Sequence, residues 1–184
     1  MITINIIGKI TVKEARAKEV VDYMESCKNE LAELTNDISE TDKASIYVGG
    51  LSHKGMHDIE STASKSPLLT AINAKNVADE LASSGSAMID KEKLLEWDSD
   101  ILIIDENRLG IVKEDYNKTP AFYKSLTAVK NGRVYGQLPY LAYYDNIETA
   151  IADIYYVGKV LYPEQFKNID RAKKADEIYS FLLG

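Results

Sequence analysis

Cysteine and histidine are almost absent from this chain of 184 residues, which has one of the first and two of the second. The single cysteine, Cys27, excludes an internal disulfide and a cysteine metal cluster. Because Cys27 falls on the apolar face of a predicted helix, it is best interpreted as a small buried side chain. Two histidines leave few candidates for a hydrolytic triad.

Long apolar runs and an excess of positive charge are also missing. No apolar stretch approaches the roughly 20 residues that a membrane span needs. The first residues lack the basic, apolar and small-residue order of a signal peptide. The formal net charge of -7 argues against nucleic acid as a partner. No nucleophile elbow, dinucleotide fingerprint or P-loop occurs, and these absences together argue against an enzyme.

Helical and strand patterns alternate along the chain. The longest helix is predicted from Thr11 to about Leu34, with one apolar and one charged face. Four consecutive apolar residues, Ile101 to Ile104, are typical of a strand buried on both faces of a parallel sheet. Shorter strands are predicted at Ser45–Val48 and Arg133–Tyr135. The alternation predicts an α/β fold, a small and mostly parallel sheet between layers of helices, preceded by the long helix.

Six of the twelve tyrosines fall between Tyr140 and Tyr162. Three of them, Tyr140, Tyr143 and Tyr144, occupy a predicted loop before a helix. That helix is expected to begin at Asp145 or Asn146, with Glu148 placed to close a capping box on Asp145. Amphipathic aromatic side chains suit a ligand-binding floor and a packing corner equally well, so both interpretations stay open here.

Two further groups are candidates for binding. His53 and His57 have the spacing of paired metal ligands on a helix, but they lie in a glycine-containing stretch, Gly49–Thr62, that is predicted to be a loop. They are therefore interpreted as exposed or ligand-facing residues. Arg108 follows the buried strand, at the edge where open α/β sheets bind ligands. It either meets an anionic ligand or forms a surface salt bridge.

Three segments together carry a resemblance to a known family. They are Gly8–Ala17, at the entry to the long helix; Ile89–Ile104, a helix followed by an acidic and then an apolar run; and Val129–Tyr135 followed by Asn146–Ala150. In these segments the chain resembles the C-terminal half of the substrate-binding proteins of ABC importers for iron complexes. In that class a long backbone helix joins two lobes, and the resemblance runs nearly end to end.

The resemblance implies an organisation for the chain. Residues 1–40 would be an N-terminal segment with the backbone helix, and residues 41–184 a C-terminal ligand-binding lobe. It also implies a helix over Met1 to Ile10, where alternation alone predicts a strand, and we adopt the helix. The family's first lobe is missing, so either the chain is a fragment or a partner chain supplies the other half.

The resemblance further implies capture of an iron complex, a ferric siderophore or a haem-like molecule, and delivery to an ABC permease outside the cytoplasm, without catalysis and without a cofactor. The ligand-facing residues would lie in the loops Gly50–His57 and Tyr140–Asn146, together with Arg108. Glu92 matches the family's carboxylate that docks on the permease; otherwise it is a solvated helix residue.

Two other hypotheses remain. One is a flavodoxin-like α/β enzyme with Asp105 and the loop histidines as its site. The other is a single lobe that forms a homodimer through the exposed face of the long helix, because apolar surface left uncovered favours self-association.

Overall fold

The computed structural model describes residues 2–51, 57–141 and 145–184. His53, Tyr143 and Tyr144 lie outside the described residues. The helices are α1 Ile2–Ile10, α2 Glu14–Thr35, α3 Pro67–Ala71, α4 Lys91–Trp97, α5 Leu109–Lys118, α6 Pro120–Ser125, α7 Thr127–Lys130, α8 Ile147–Leu161 and α9 Arg171–Leu183. The strands are β1 Ser45–Gly49, β2 Ser61–Ser64, β3 Lys75–Asn76, β4 Gly85–Met88, β5 Ile101–Asp105 and β6 Val134–Gln137.

Four of the described strands form one sheet in the order β3-β1-β5-β6, and every pair in it is parallel. The register places Ile46 opposite Ile101 and Leu102 opposite Val134. All five residues of β5 are buried, as expected for a central strand covered on both faces. The predicted α/β fold with a mostly parallel sheet is confirmed.

Helices cover both faces of this sheet. On one face, α2, α3, α8 and α9 contribute a large apolar cluster that includes Cys27, Leu31, Leu69, Ile154, Tyr155, Phe166 and Ile178. On the other face, α4 to α7 contribute a second cluster that includes Leu94, Val112, Tyr123 and Ala128. Cys27 is 4% exposed, so its interpretation as a small buried side chain is confirmed. None of the helices within the described ranges is both long and apolar enough to cross a membrane.

The predicted loop Gly49–Thr62 is partly wrong, because β2 begins at Ser61 and pairs antiparallel with β4, which follows it in the chain only after α3 and β3. The two strands read Ser-Thr-Ala-Ser and Gly-Ser-Ala-Met, and neither carries a clear alternation of apolar and polar residues. Polar contacts hold β2 in place instead: the Thr62 hydroxyl donates to the carbonyl of Val48 (2.7 Å), and the amide of Gly50 donates to the carbonyl of Ser61 (2.8 Å). The β2–β4 pair is therefore joined to the end of β1.

The N-terminal segment is helical, as the family resemblance implied, and the strand suggested by alternation is wrong. Helix α2 begins at Glu14, later than the predicted Thr11, because Val12 takes a left-handed conformation (φ 56°) that separates α1 from α2. Gly8 allows close packing there, since a Cβ at residue 8 would lie 2.4 Å from that of Ala17.

Helix α8 follows Asn146, and the predicted capping box between Asp145 and Glu148 does not form. With Asn146 at the N-cap, Glu148 is the second helical residue rather than the third, so it lacks the capping-box position. The predicted apolar stripe is largely confirmed: Ala150, Ile154, Gly158 and Leu161 are buried, whereas Ile147 is 41% exposed.

Candidate functional site: a groove at the carboxyl edge of the sheet

The parallel strands β1, β5 and β6 end at a common edge of the sheet, where open α/β folds bind ligands. Gly50 follows β1 there in a left-handed conformation (φ 81°). A Cβ at this position would lie 3.0 Å from the Cβ of Arg108, so glycine allows the two loops to meet. The structure thus places Arg108 at the edge that the sequence indicated.

A groove of about 480 Å³ lies beside this edge. One wall comes from the antiparallel strands β2 and β4 and the start of α3, and the other from the loop after β6 with the first turns of α8. Its lining is Leu51, Ala63, Ser64, Lys65, Ser66, Pro67, Leu68, Ser84, Gly85, Ser86, Tyr140, Leu141, Asp145, Ile147 and Ala150. The groove is mainly apolar, with serine side chains in the wall that contains β2 and β4, and with one lysine and one carboxylate among its described residues.

Tyr140 and Asn146 hold the second wall together. The main-chain amide and the side-chain Nδ2 of Asn146 both donate to the carbonyl oxygen of Tyr140, at 2.8 and 3.1 Å. Tyr140 packs against the core while lining the groove. Burial, reinforced by the nearby carboxylate of Asp105, raises the pKa of Tyr140 to about 12. Its side chain is therefore a neutral phenol at neutral pH, suited to stacking and to hydrogen bonding.

Two buried carboxyl groups lie behind this wall. Asp105, 4% exposed, accepts from the amide of Asn107 (2.9 Å), and burial raises its pKa to about 6. Asp153, 5% exposed, accepts through Oδ1 from the amide of Leu138 (3.1 Å). Burial raises the pKa of Asp153 to about 7, and the negative charges of Asp105 and Glu106 act in the same direction.

Two of the other predicted site residues, His57 and Glu92, lie outside the groove. His57 is half-buried and does not line the groove. Glu92 is exposed in the first turn of α4, which packs through Leu94 into the second apolar cluster, and it also lies outside the groove. Within the described part of the chain, no group of three or more His, Cys, Asp or Glu residues could hold a metal ion.

Two parts of the site were not predicted from the sequence, namely the wall that contains β2 and β4, and Asp153. The run Ser64-Lys65-Ser66 immediately precedes the start of α3, but its place in the groove depends on an unpredicted strand pair. A signal for Asp153 was present: it lies three residues after Ala150 and four before Val157, so it falls on the buried face of α8. An acidic residue on such a face indicates a special environment.

Several solved structures that resemble this chain are those of solute-binding proteins. The molybdate periplasmic binding protein MolA of Haemophilus influenzae, bound to molybdate, has a TM-score of 0.77 and 20% identity over 97% of this chain and 53% of that one. The TroA-like periplasmic binding protein FepB of Veillonella parvula has a TM-score of 0.70 and 22% identity over 97% and 56%. CeuE of Helicobacter pylori, with Ni(II) bound, has a TM-score of 0.65 and 20% identity over 86% and 50%.

At these identities the likeness shows the fold alone, and the chain spans about half the length of each of these structures. No curated protein matches the chain. The sequence profile of the periplasmic binding protein family matches residues 3–139, which is well over half of the chain. The chain therefore belongs to the periplasmic binding protein family.

Proposed function

We propose that the chain is the C-terminal ligand-binding lobe of a solute-binding protein for an ABC importer, and that its solute is a metal chelate with an organic shell, such as a ferric siderophore or a haem-like molecule. The observation that carries this proposal is the groove at the carboxyl edge of the sheet. Its volume of about 480 Å³ suits a small molecule, and its walls come from the loops in which open α/β sheets bind ligands.

The chemistry of the groove favours a chelate over a bare ion. Apolar side chains dominate both walls, among them Leu51, Leu68 and Leu141. They can cover the organic shell of a chelate, while the serine side chains can hydrogen-bond to its polar atoms. Among the described lining residues, Lys65 and Asp145 contribute one charge of each sign, a weak basis for holding a small oxyanion.

The residues outside the described ranges belong to the same proposal. Tyr143 and Tyr144 follow Tyr140 in the sequence, and we propose that they stack on the ligand. His53 would face it from the loop after β1, and Arg108 would meet its negative charge. A second lobe would close over the groove by a hinge motion. Loading and delivery would then occur outside the cytoplasm.

The permease is the second proposed partner. Glu92 is exposed on α4, away from the groove, so a permease could contact it while the ligand stays bound. Replacing Glu92 with Gln is expected to reduce transport by the full protein and leave the affinity for the ligand unchanged. Normal transport by that variant would remove Glu92 from the docking surface.

Titration of the chain with a ferric hydroxamate siderophore, haem and molybdate tests the solute class, with fluorescence and calorimetry as readouts. We expect the chelates to bind and molybdate not to bind. Leu68→Glu places a charge in the apolar wall and should weaken binding about tenfold or more. The matched control is Leu183→Glu, at an exposed position near the end of α9, which should leave affinity unchanged.

Binding of molybdate alone would overturn the chelate assignment, and an identical affinity in Leu68→Glu would place the ligand elsewhere. Tyr143→Ala with Tyr144→Ala tests the aromatic contacts separately. Unchanged affinity in that double variant would remove both tyrosines from the binding site.

A further inference from the structure

Asp153 and Gln137 are two buried polar residues that line the same small cavity behind the groove. They lie on α8 and at the end of β6, and their exposed fractions are 5% and 6%. Oδ1 of Asp153 accepts from the amide of Leu138, but its Oδ2 and the Nε2 of Gln137 have no hydrogen-bond partner among the described protein groups. A buried polar atom left unpaired is costly, and native structures supply it with a partner.

A cavity of about 20 Å³ adjoins both side chains. Gln137, Asp153, Tyr140 and Ser66 are its polar lining residues, and the rest of its wall is apolar, including Val48 and Leu51. A volume of about 10–15 Å³ is enough for one water molecule when two or more polar groups can bind it. The two unpaired atoms can bind the same water molecule, since Nε2 of Gln137 donates a hydrogen bond and Oδ2 of Asp153 accepts one.

We propose that Asp153 and Gln137 bind one internal water molecule, which joins the end of β6 to α8 and supports the groove wall at Tyr140. The water accepts from Nε2 of Gln137 and donates to Oδ2 of Asp153. A metal cation fits this position poorly, because the N–H groups of Nε2 would point toward it. The water therefore completes the hydrogen bonding of the pair without a compensating charge.

Burial of Asp153, together with the negative charges beside it, makes this site sensitive to pH. Titratable and charged groups surround Asp153 on several elements. They are Asp105 on β5, Glu106 in the turn after it, Tyr135 on β6, Tyr140 in the following loop, Tyr156 on α8 and Arg171 on α9. Burial raises the pKa of Asp153 to about 7, so the carboxyl group takes up a proton near neutral pH. Oδ1 of Asp153 accepts a hydrogen bond from the amide of Leu138, in the loop that carries Tyr140. A change in the protonation of Asp153 therefore acts on this loop through that hydrogen bond.

The test is a titration of the Asp153 carboxyl carbon by NMR in the isotope-labelled chain without ligand. We expect a midpoint near pH 7, and an upward shift of about half a pH unit or more in Gln137→Met, because the carboxylate loses its water-mediated donor. The control Asp176→Asn changes an exposed carboxyl on α9 and should leave the Asp153 midpoint in place.

A high-resolution crystal structure of the unmodified chain gives a second measurement that needs no variant. One water within hydrogen-bond distance of Oδ2 and Nε2 supports the site, whereas a direct contact between the two side chains, or a bound cation, overturns it. An unchanged midpoint in Gln137→Met would also overturn it. These measurements need no solute, so their outcome is separate from that of the proposed function.

Discussion

Asn146 donates two hydrogen bonds to the carbonyl oxygen of Tyr140, one from its main chain and one from its side chain. This pair closes the loop between β6 and α8, and it fixes the wall of the groove at the point where the helix begins. The side chain of Asn146 thus serves the loop rather than the N-terminus of the helix.

We expect Asn146→Ala to lower the free energy of unfolding by about 1 kcal/mol, the usual net value of one hydrogen bond. Asn146→Asp should lose about as much, because an ionised carboxylate cannot donate to a carbonyl oxygen. Denaturant unfolding of the unmodified chain and of the two variants measures these changes in the free energy of unfolding. Full stability in Asn146→Asp would show that the side-chain bond to Tyr140 contributes nothing.

The buried carboxyl of Asp153 predicts a specific pH dependence. Its pKa is about 7 when folded and about 3.9 when unfolded, so between pH 4 and pH 7 the folded state binds the proton more tightly. Stability should therefore fall as pH rises through this window, by up to about 4 kcal/mol from this group. Below about pH 4 this penalty is absent, and above pH 7 it is complete.

Asp153→Asn should flatten that decline, because the amide carries no charge and its oxygen can still accept from Leu138. Asp176→Asn, at an exposed position, should follow the unmodified chain. Denaturant midpoints between pH 4 and pH 8 provide the comparison. Parallel curves for all three proteins would contradict the assignment of the raised pKa to Asp153.

Glu30 on α2 joins the long helix to the rest of the lobe. It accepts from the hydroxyl of Tyr155 and pairs with Nζ of Lys174 (2.9 Å). Partial burial opposes its ionisation, but these two partners hold the pKa of Glu30 below its usual value. A double-mutant cycle with Glu30→Gln and Lys174→Met should give a coupling of about 0.5–1 kcal/mol.

The exposed pair Lys18 and Asp22, on the same helix, is the matched control and should show a smaller coupling that salt removes. Equal couplings in the two pairs would mean that the Glu30 network adds nothing beyond a surface ion pair.

Gly158 and Gly110 are both helical glycines, but their surroundings differ. A Cβ at Gly158 would lie 2.4 Å from the ring of Phe166, a fully buried side chain, whereas a Cβ at Gly110 meets nothing within 4 Å. We expect Gly158→Ala to destabilise the chain by about 1–3 kcal/mol through overpacking. Gly110→Ala should stabilise it by about 0.5–1 kcal/mol, since alanine favours a helix more than glycine does. Thermal unfolding of both variants tests this contrast, and a common sign would refute it.

Sequence patterns predicted the fold correctly where the residues of a single element form a clear apolar pattern. The apolar run of β5 predicted a buried parallel strand, and the resemblance predicted a member of the periplasmic binding protein family; both are confirmed. The pairing of β2 with β4 was not predicted, because the buried polar residues of β2, such as Thr62 and Ser64, are held by tertiary hydrogen bonds that produce no periodic pattern in the sequence. The iron-complex ligand, the site residues and the boundary at residue 40 stay predictions.

The candidate site could be predicted from the sequence only in part. Tyr140, Asn146 and Arg108 could be proposed from their loops, and the structure places all three at the carboxyl edge of the sheet or in the groove wall beside it. The opposite wall could not be proposed, because its position depends on a strand pairing between segments some twenty residues apart.

The two walls of the groove come from parts of the chain that are distant in sequence, residues 63–68 and 84–86 on one side and residues 140–141 and 145–150 on the other. A partly folded chain that lacks either wall has no groove. The solute would therefore bind only the completed lobe and act as a reporter of folding. At a solute concentration 100 times the dissociation constant it would add about 2.7 kcal/mol to the stability of that state. Solute supply would then set how long the lobe survives proteolysis.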